Sequence, residues 1–483
     1  YKFHYVGLCG SLAVDGCGTI LGMHVAGSDV ENLGVTITWS DQDRDIIRDI
    51  LVNDNALFLN TTMKQSHSGC DFSGIKLDQN LNIFTPKKSN IVPTELYGVF
   101  PVTRSPANLS ITGPHTIKDV SNAGRVPVAS VDPDEISFGK EVLSSFIDEF
   151  EELTMTEVIK GNTLLAPLNK NSSNGYTHFK TREECFDFEL GIMKPDFEKD
   201  YSDFLSKIHS RSIDVEDVVW VETLKDELRN NDKLTPRSIR VSKVHFQVLT
   251  KQLFGGMVAN IIRNRDYNQI MIGVNPYKDW DSLYHKMKDY PIWAGDIGKY
   301  DKKMLPQVQQ AVNEVLLSKY KGDRYDLCDF ILTNHIYNIV AVNDDVYLST
   351  HSMPSGTYLT AIFNSLVNRF YKAMWYYRNV PDAKFYNFSR DVIDFVYGDD
   401  TVNALKNPKY KDKLDALTMK SFFESLGMAF TTSTKGEIVA PFERICDVTF
   451  LKRRFVYHPK LCCITCPLDL NTVFSSLSWY DKS

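Results

Sequence analysis

Leu359, Ile362, Phe363, Leu366, Val367 and Phe370 recur at the three- and four-residue steps of one helix face, so the 351–378 stretch predicts a helix turned toward a core. Thr360, Asn364 and Asn368 fall on another face, at i, i+4 and i+8. Downstream the period shortens to that of strands. Val392, Ile393, Phe395 and Val396 precede Tyr397-Gly398-Asp399-Asp400, and Thr401, Val402 and Asn403 follow, which predicts a β-hairpin with an acidic bend. Gly398 suits the bend because it has no Cβ to strain. Further helices are expected near 134–160, 196–210 and 409–426, with a short amphipathic one at Asp41–Val52. Prolines between Thr94 and Ser110 favour extended chain.

The acidic bend gains meaning from a second pair, Asp296 and Asp301, upstream. Carboxylates brought together repel one another, so a site holding Asp296, Asp399 and Asp400 has raised proton affinities unless divalent cations neutralise it. Magnesium prefers such hard oxygens and leaves room for substrate phosphates. Two ions about 3.5 to 4 Å apart activate an attacking hydroxyl and stabilise a leaving oxygen, which points to nucleotidyl transfer. Lys225, Arg229, Lys233, Arg237 and Arg240 recur every three or four residues, either as a solvated face or as a grip on a triphosphate. The Ser355-Gly356 loop leads into the expected helix, so Ser355, Thr360 and Asn364 are candidates to hydrogen-bond a ribose.

With 483 residues the chain should carry more than one lobe. A net charge of −7 means that any nucleic-acid contact must come from a local lining, because the global field is acidic. No apolar run approaches the roughly 20 residues of a membrane span and no signal-peptide pattern opens the chain, so it reads as soluble. Nine cysteines scattered along the chain point to a reducing compartment. Cys462, Cys463 and Cys466, with His458 nearby, include one CxxC step but no second pair, which favours plain thiols over a zinc site. The chain opens at Tyr1 without an initiator methionine, as expected of a piece of something longer.

Two resemblances follow. Gly7-Leu8-Cys9-Gly10 and Gly22-Met23-His24 resemble the C-terminal part of the chymotrypsin-like cysteine proteases of picornavirus-like polyproteins. That likeness implies Cys9 as nucleophile and His24 as a pocket residue, with the base missing, hence an inactive remnant of a partial β-barrel over residues 1–27. Residues 28–65 read as a linker ending at Gln65-Ser66, a step of the type such proteases cut, with Gln79-Asn80 as the weaker candidate.

From about residue 90 to 455, Lys225-Asp226-Glu227-Leu228-Arg229, Asp296 with Asp301, Ser355-Gly356 through Asn364, Tyr397 to Asp400, Lys435 and Phe450 to Phe455 stand in order. They resemble the successive motifs of picornavirus-like RNA-dependent RNA polymerases, with dicistroviruses and iflaviruses as the nearest branches. The resemblance implies an α+β right hand: fingers mainly over 66–290, a palm with an antiparallel sheet over 291–455, and the start of a thumb over 456–483, most of the thumb being absent. It further implies Asp296 and Asp399 as ligands of two magnesium ions, with Asp400 supporting and manganese able to substitute. Asp301, Ser355, Thr360 and Asn364 would read the ribose; Lys225, Arg229 and Arg237 or Arg240 would hold the triphosphate. Lys452 and Arg453 would touch the primer strand, and Lys435 would protonate the leaving pyrophosphate.

Implied partners are an RNA template and primer, ribonucleoside triphosphates, a viral protein primer and a replication complex at cytoplasmic membranes of a host cell. Competing readings are a reverse transcriptase, disfavoured because the sugar-reading positions are polar, an active cysteine protease, and a non-catalytic precursor module that binds RNA or replication factors.

Overall fold

The structure is a computed structural model that describes residues 88–109, 129, 131–342 and 346–482 in full, and the backbone alone of Asp345 and of strands Leu12–Val14, Ile20–Ser28, Leu33–Thr38 and Cys70–Phe72. Cys9, the helix expected at Asp41–Val52 and the Gln65-Ser66 and Gln79-Asn80 steps lie outside the described residues.

A four-stranded antiparallel sheet occupies the middle of the molecule, in the order Val392–Tyr397, Asp400–Leu405, Ile292–Ile297, Phe430–Thr431. Side chains alternate across it as the two-residue strand period requires. Trp293, Val392, Val396, Leu405 and Phe430 join the main core on one face. Ile292, Ala294, Ile393, Phe395, Val402 and Ala404 meet Trp280, Phe450 and Phe455 on the other. Both faces are covered, which is why the strands read as nearly continuous apolar runs. The expected hairpin is therefore present, with Tyr397 opposite Asp400 at its mouth.

The expected helix spans Thr360–Asn379 and is buried around most of its circumference. It packs on a helix at Pro133–Ser144, which starts where Asp132 caps the Asp134 N–H and Pro133 fits the first turn. The stretch expected to be helical over 134–160 divides here, its second helix being Met155–Lys160 behind a Thr154 capping box. The other expected helices appear as Pro195–His209 and Ala416–Ser425.

A second sheet runs Ser238–Val241, Trp220–Leu224, Asn338–Val342, Asp345–Ser349, Cys70–Phe72. The chain just past residue 65 thus supplies an edge strand to it. Upstream, Leu12–Val14, Ile20–Ser28 and Leu33–Thr38 form their own antiparallel sheet, with His24 opposite Thr36. The third of these strands lies within the segment read as linker. A boundary at 27 therefore cuts a ladder in which Ala26 pairs with Val35 and Gly27 with Gly34.

At the other end, Val456–His458 pairs with Cys463–Thr465, a helix covers Leu470–Ser478, and Trp479–Asp481 pairs with Ile91–Pro93. Trp479 Nε1 donates to the Arg104 carbonyl at 3.0 Å, and Phe100 stacks on Phe474 with ring centres 5.1 Å apart. The residues expected to open a thumb therefore close back onto the 88–106 segment. The Cys462 thiol donates to the Pro459 carbonyl, His458 Nδ1 accepts the Leu461 N–H, and Cys466 lies buried against Arg453, so these groups face different neighbours. Among the described residues, no helix is long and apolar enough to cross a membrane.

Candidate active site

Strand register brings the two acidic stretches together. Ile292–Ile297 runs antiparallel to Asp400–Leu405 with Gly295 opposite Thr401, so Asp296 emerges beside the hairpin that carries Asp399 and Asp400. Gly295 allows this approach, because a Cβ there would meet the Phe430 ring at 2.1 Å. Gly398 turns the hairpin with φ +65°, a region that costs other residues strain. Asp399 opens to solvent at the tip but is walled by protein behind. Burial raises its proton affinity, and the charges of Asp296 and Asp301 raise it further, against a lowering influence from Lys435. Burial likewise pushes the Asp400 carboxyl up to about 7, with Asp399 and Asp296 adding to the rise. Asp400 Oδ2 accepts the Leu451 N–H at 2.8 Å, which ties it to the strand below instead of freeing both oxygens.

Lys435 adopts φ +67°, and its Nζ stands 3.3 Å from Asp296 Oδ2 with most of its side chain in solvent. Among the described residues it is the cation paired directly with the acidic ledge.

The Thr360–Asn379 helix lies against the hairpin. Gly398 donates its N–H to Ser365 Oγ at 2.7 Å, and its carbonyl accepts from Asn368 Nδ2 at 2.9 Å. Asn364 is buried one turn earlier, and its Oδ1 has no hydrogen-bond partner among the described residues. A buried orphan acceptor costs about 1–3 kcal/mol, so its retention beside the ledge suits a group waiting for a donor from a ligand. Thr360 Oγ1 donates to the carbonyls of Pro354 and Thr357, both 2.9 Å away, leaving its lone pairs to accept. Ser355 is exposed on the same loop, which docks on the other acidic stretch through the Met353 N–H to the Asp301 carbonyl, 2.8 Å. The loop carrying Ser355 is thus bonded to the Asp301 backbone at one end and to Thr360, one turn before Asn364, at the other.

The basic series does not act as one face. Lys225, Arg229 and Arg237 gather on Glu227, at 3.9 Å, 3.5 Å and through a bidentate pair respectively. Arg237 also feels Asp301 and Asp399, so it looks across at the ledge. Arg240 does not. Strand register sets it opposite Glu222, and its buried guanidinium donates to Asn338 Oδ1, Ser349 Oγ, Ser352 Oγ and Tyr347 Oη at 2.7–3.2 Å. The expectation that Arg240 holds a triphosphate is corrected: alternation along the strand turns it into the sheet's interior. Lys452 and Arg453 separate similarly. Leu451 and Lys452 both take positive φ, the chain reverses, and Lys452 stays exposed with its charge sensed by Asp400 and Arg237. Arg453 instead donates to the Cys466 carbonyl at 2.9 Å and lies over the Tyr277 ring, so part of its guanidinium is engaged within the fold.

Among the described residues, no three His, Cys, Asp or Glu side chains are gathered into a ready metal cage. The chemistry of the ledge nevertheless fits a hard divalent cation: Asp399 and Asp400, whose proton affinities burial and neighbouring carboxylates raise, stand beside Asp296, and one Asp400 oxygen is already taken by the Leu451 N–H.

A sheet presenting this acidic hairpin, backed by helices and flanked by a second sheet, is the architecture of a right-hand polymerase. The solved structure of a sicinivirus 3Dpol RNA-dependent RNA polymerase superposes with a TM-score of 0.73, covering 87% of each chain at 23% identity. The family model for viral RNA-dependent RNA polymerase matches residues 99–483, and the chain belongs to that family. It is 23% identical to the replicase polyprotein of Drosophila C virus over 96% of this chain and 30% of that one. With the replicase polyprotein of acute bee paralysis virus it shares 27% identity over 82% of this chain and 23% of the relative. The chain thus spans less than a third of the length of these relatives.

Proposed function

We propose that the chain is the RNA-directed RNA polymerase of a positive-strand RNA virus, extending an RNA 3′ end with ribonucleotides chosen by an RNA template. One observation supports this: the helix bearing Thr360 and Asn364 is bonded to the same Gly398 peptide that presents Asp399, beside Asp296, so sugar reading and transfer chemistry would be held next to each other. Asp296 and Asp399 would hold magnesium, or manganese in its place, with Asp400 supporting from its bond to Leu451. When bound, the two ions lower the pKa of the attacking 3′-hydroxyl and neutralise the leaving pyrophosphate. Lys225, Arg229 and Arg237 would take the triphosphate, exchanging Glu227 for phosphate oxygens. Asp301, Ser355, Thr360 and Asn364 would recognise the ribose, Lys435 would deliver a proton to pyrophosphate, and Lys452 would touch the primer. A viral protein primer and replication complexes at host cytoplasmic membranes complete the setting.

The test is template-directed choice. On a primed RNA offered one nucleotide at a time, the complementary ribonucleotide should be added and the other three ignored; RNA binding without extension would leave only the binding-module alternative. In the same assay Asn364→Ala should lower the preference for ribo- over deoxynucleotide by about 10-fold or more, since only the ribonucleotide loses a hydrogen bond. An unchanged ratio would place sugar reading elsewhere.

We also propose cleavage between Gln65 and Ser66. In support, the strands at 12–38 pair with one another, whereas Cys70–Phe72 pairs with Asp345–Ser349. A cut after Gln79 would part that edge strand from the chain it serves. Treatment with the cognate protease should give a new N-terminus at Ser66 and faster extension; a terminus at Asn80 would move the boundary.

A further inference from the structure

The polar series on the sugar-reading helix continues past Asn368 to a residue with no role in the site so far. Lys372 lies one turn further along, fully buried, under the middle of the catalytic hairpin. Its ammonium is hydrogen-bonded to Asp394 and Thr401 and donates to Asn403 Oδ1 at 3.0 Å. These three partners are the buried polar positions on the helix-facing side of two otherwise apolar strands. Asp394 is on the strand leading to Asp399. Thr401 follows Asp400 directly and lies opposite Gly295, the residue before Asp296, while Asn403 lies opposite Trp293. One ammonium therefore binds both strands of the hairpin, at positions in register with the strand of Asp296.

Stability alone is a poor reason for this arrangement. A buried ion pair commonly contributes no more than a packed apolar pair of the same volume, because desolvation offsets the attraction. What directed bonds add is a fixed geometry. Ser365, Asn368 and Lys372 follow at steps of three and four along one stripe, the first two gripping the Gly398 peptide at the tip and the third the strands behind it. The charges have a direction as well. Arg369 Nε lies 3.8 Å from Asp394, so two basic side chains face one carboxylate behind the acidic ledge; burial pushes Lys372 down to about 8, while Asp394 and Asp400 hold it up.

We propose that Lys372 is a positioning residue for nucleotidyl transfer: with Ser365 and Asn368 it locks the sugar-reading helix to both strands of the catalytic hairpin, so that a nucleotide recognised at Asn364 is held in fixed register with Asp296 and Asp399. This rests on the polymerase assignment, and extension by the unaltered chain is the control that separates failure of one from failure of the other. If the unaltered chain extends primers, every outcome below bears on Lys372 alone.

Two variants test it in single-turnover addition. Lys372→Met combined with Asp394→Met removes the ammonium and its carboxylate together, leaving Arg369 its bonds to the Asn268 carbonyl and Ser389 Oγ. Thr401→Val removes one hydroxyl at nearly constant shape. Each should retain the melting temperature within a few degrees and the apparent nucleotide affinity, yet slow addition about tenfold or more. Their combination should be no slower than the slower of the two, because both break the same link; independent structural damage would multiply instead. Addition at the unaltered rate in the folded double variant would overturn the proposal, as would multiplicative losses, or losses that track nucleotide affinity. Should the double variant fail to fold, Thr401→Val decides alone, and an unaltered rate there overturns the proposal equally.

Discussion

Asp399→Asn is expected to leave the chain folded and to slow nucleotide addition by at least about 10³-fold, the scale on which loss of a preorganised charge at a reacting centre acts. The fold should persist because Asp399 stands at the solvent-facing tip, while the turn is held through the Gly398 peptide and not through the carboxylate. Burial and the neighbouring carboxylates already disfavour the charged form, so removing one charge relieves repulsion and should, if anything, raise thermal stability. Circular dichroism and single-turnover extension measured together check both halves. A folded variant that adds nucleotides at near the original rate would remove Asp399 from the chemistry. Asp400→Asn should be milder, since one of its oxygens is already engaged by the Leu451 N–H.

Lys435→Leu is expected to slow addition by about 10²- to 10³-fold with little change in nucleotide affinity, as for loss of a general acid. The placement favours that role. Lys435 reaches Asp296 from an exposed loop whose backbone is fixed by its own N–H to the Thr432 carbonyl at 2.8 Å, so the ammonium can swing to a leaving group without disturbing the sheet. A variant that loses affinity but keeps its rate would make Lys435 a phosphate contact only.

Local periodicity made the hairpin and the Thr360–Asn379 helix legible, because alternation and the three- to four-residue step are properties of neighbours in sequence. The meeting of Asp296 with Asp399 was legible only as an expectation of charge chemistry; the register of Gly295 with Thr401 realises it. What stayed hidden depends on partners far along the chain. Arg240 is buried by partners distant in sequence, Glu222, Asn338, Tyr347, Ser349 and Ser352. The two-residue step from Ser238 to Arg240 was the available signal, for both face Glu222. Lys372 was similarly within reach as the next member of the series Thr360, Asn364, Asn368. A lysine inside an apolar helix face is hard to place until the acidic position it answers, Asp394, is seen across the sheet. Lys452 and Arg453 are neighbours in one motif, but the positive φ of Leu451 and Lys452 sends the two side chains in different directions. The closure of Trp479–Asp481 on Ile91–Pro93 joins segments far apart in sequence, and no window of neighbouring residues contains it.

The central claim is that the ledge of Asp296 and Asp399 performs metal-dependent, template-directed addition of ribonucleotides. Extension of an end-labelled RNA primer on an RNA template, with magnesium present and with it removed by chelation, tests this most directly. The account predicts growth of the primer by successive complementary nucleotides with magnesium, none after chelation, and recovery when magnesium or manganese is restored. A folded chain that binds the primed template yet never extends it under any of these conditions would contradict it.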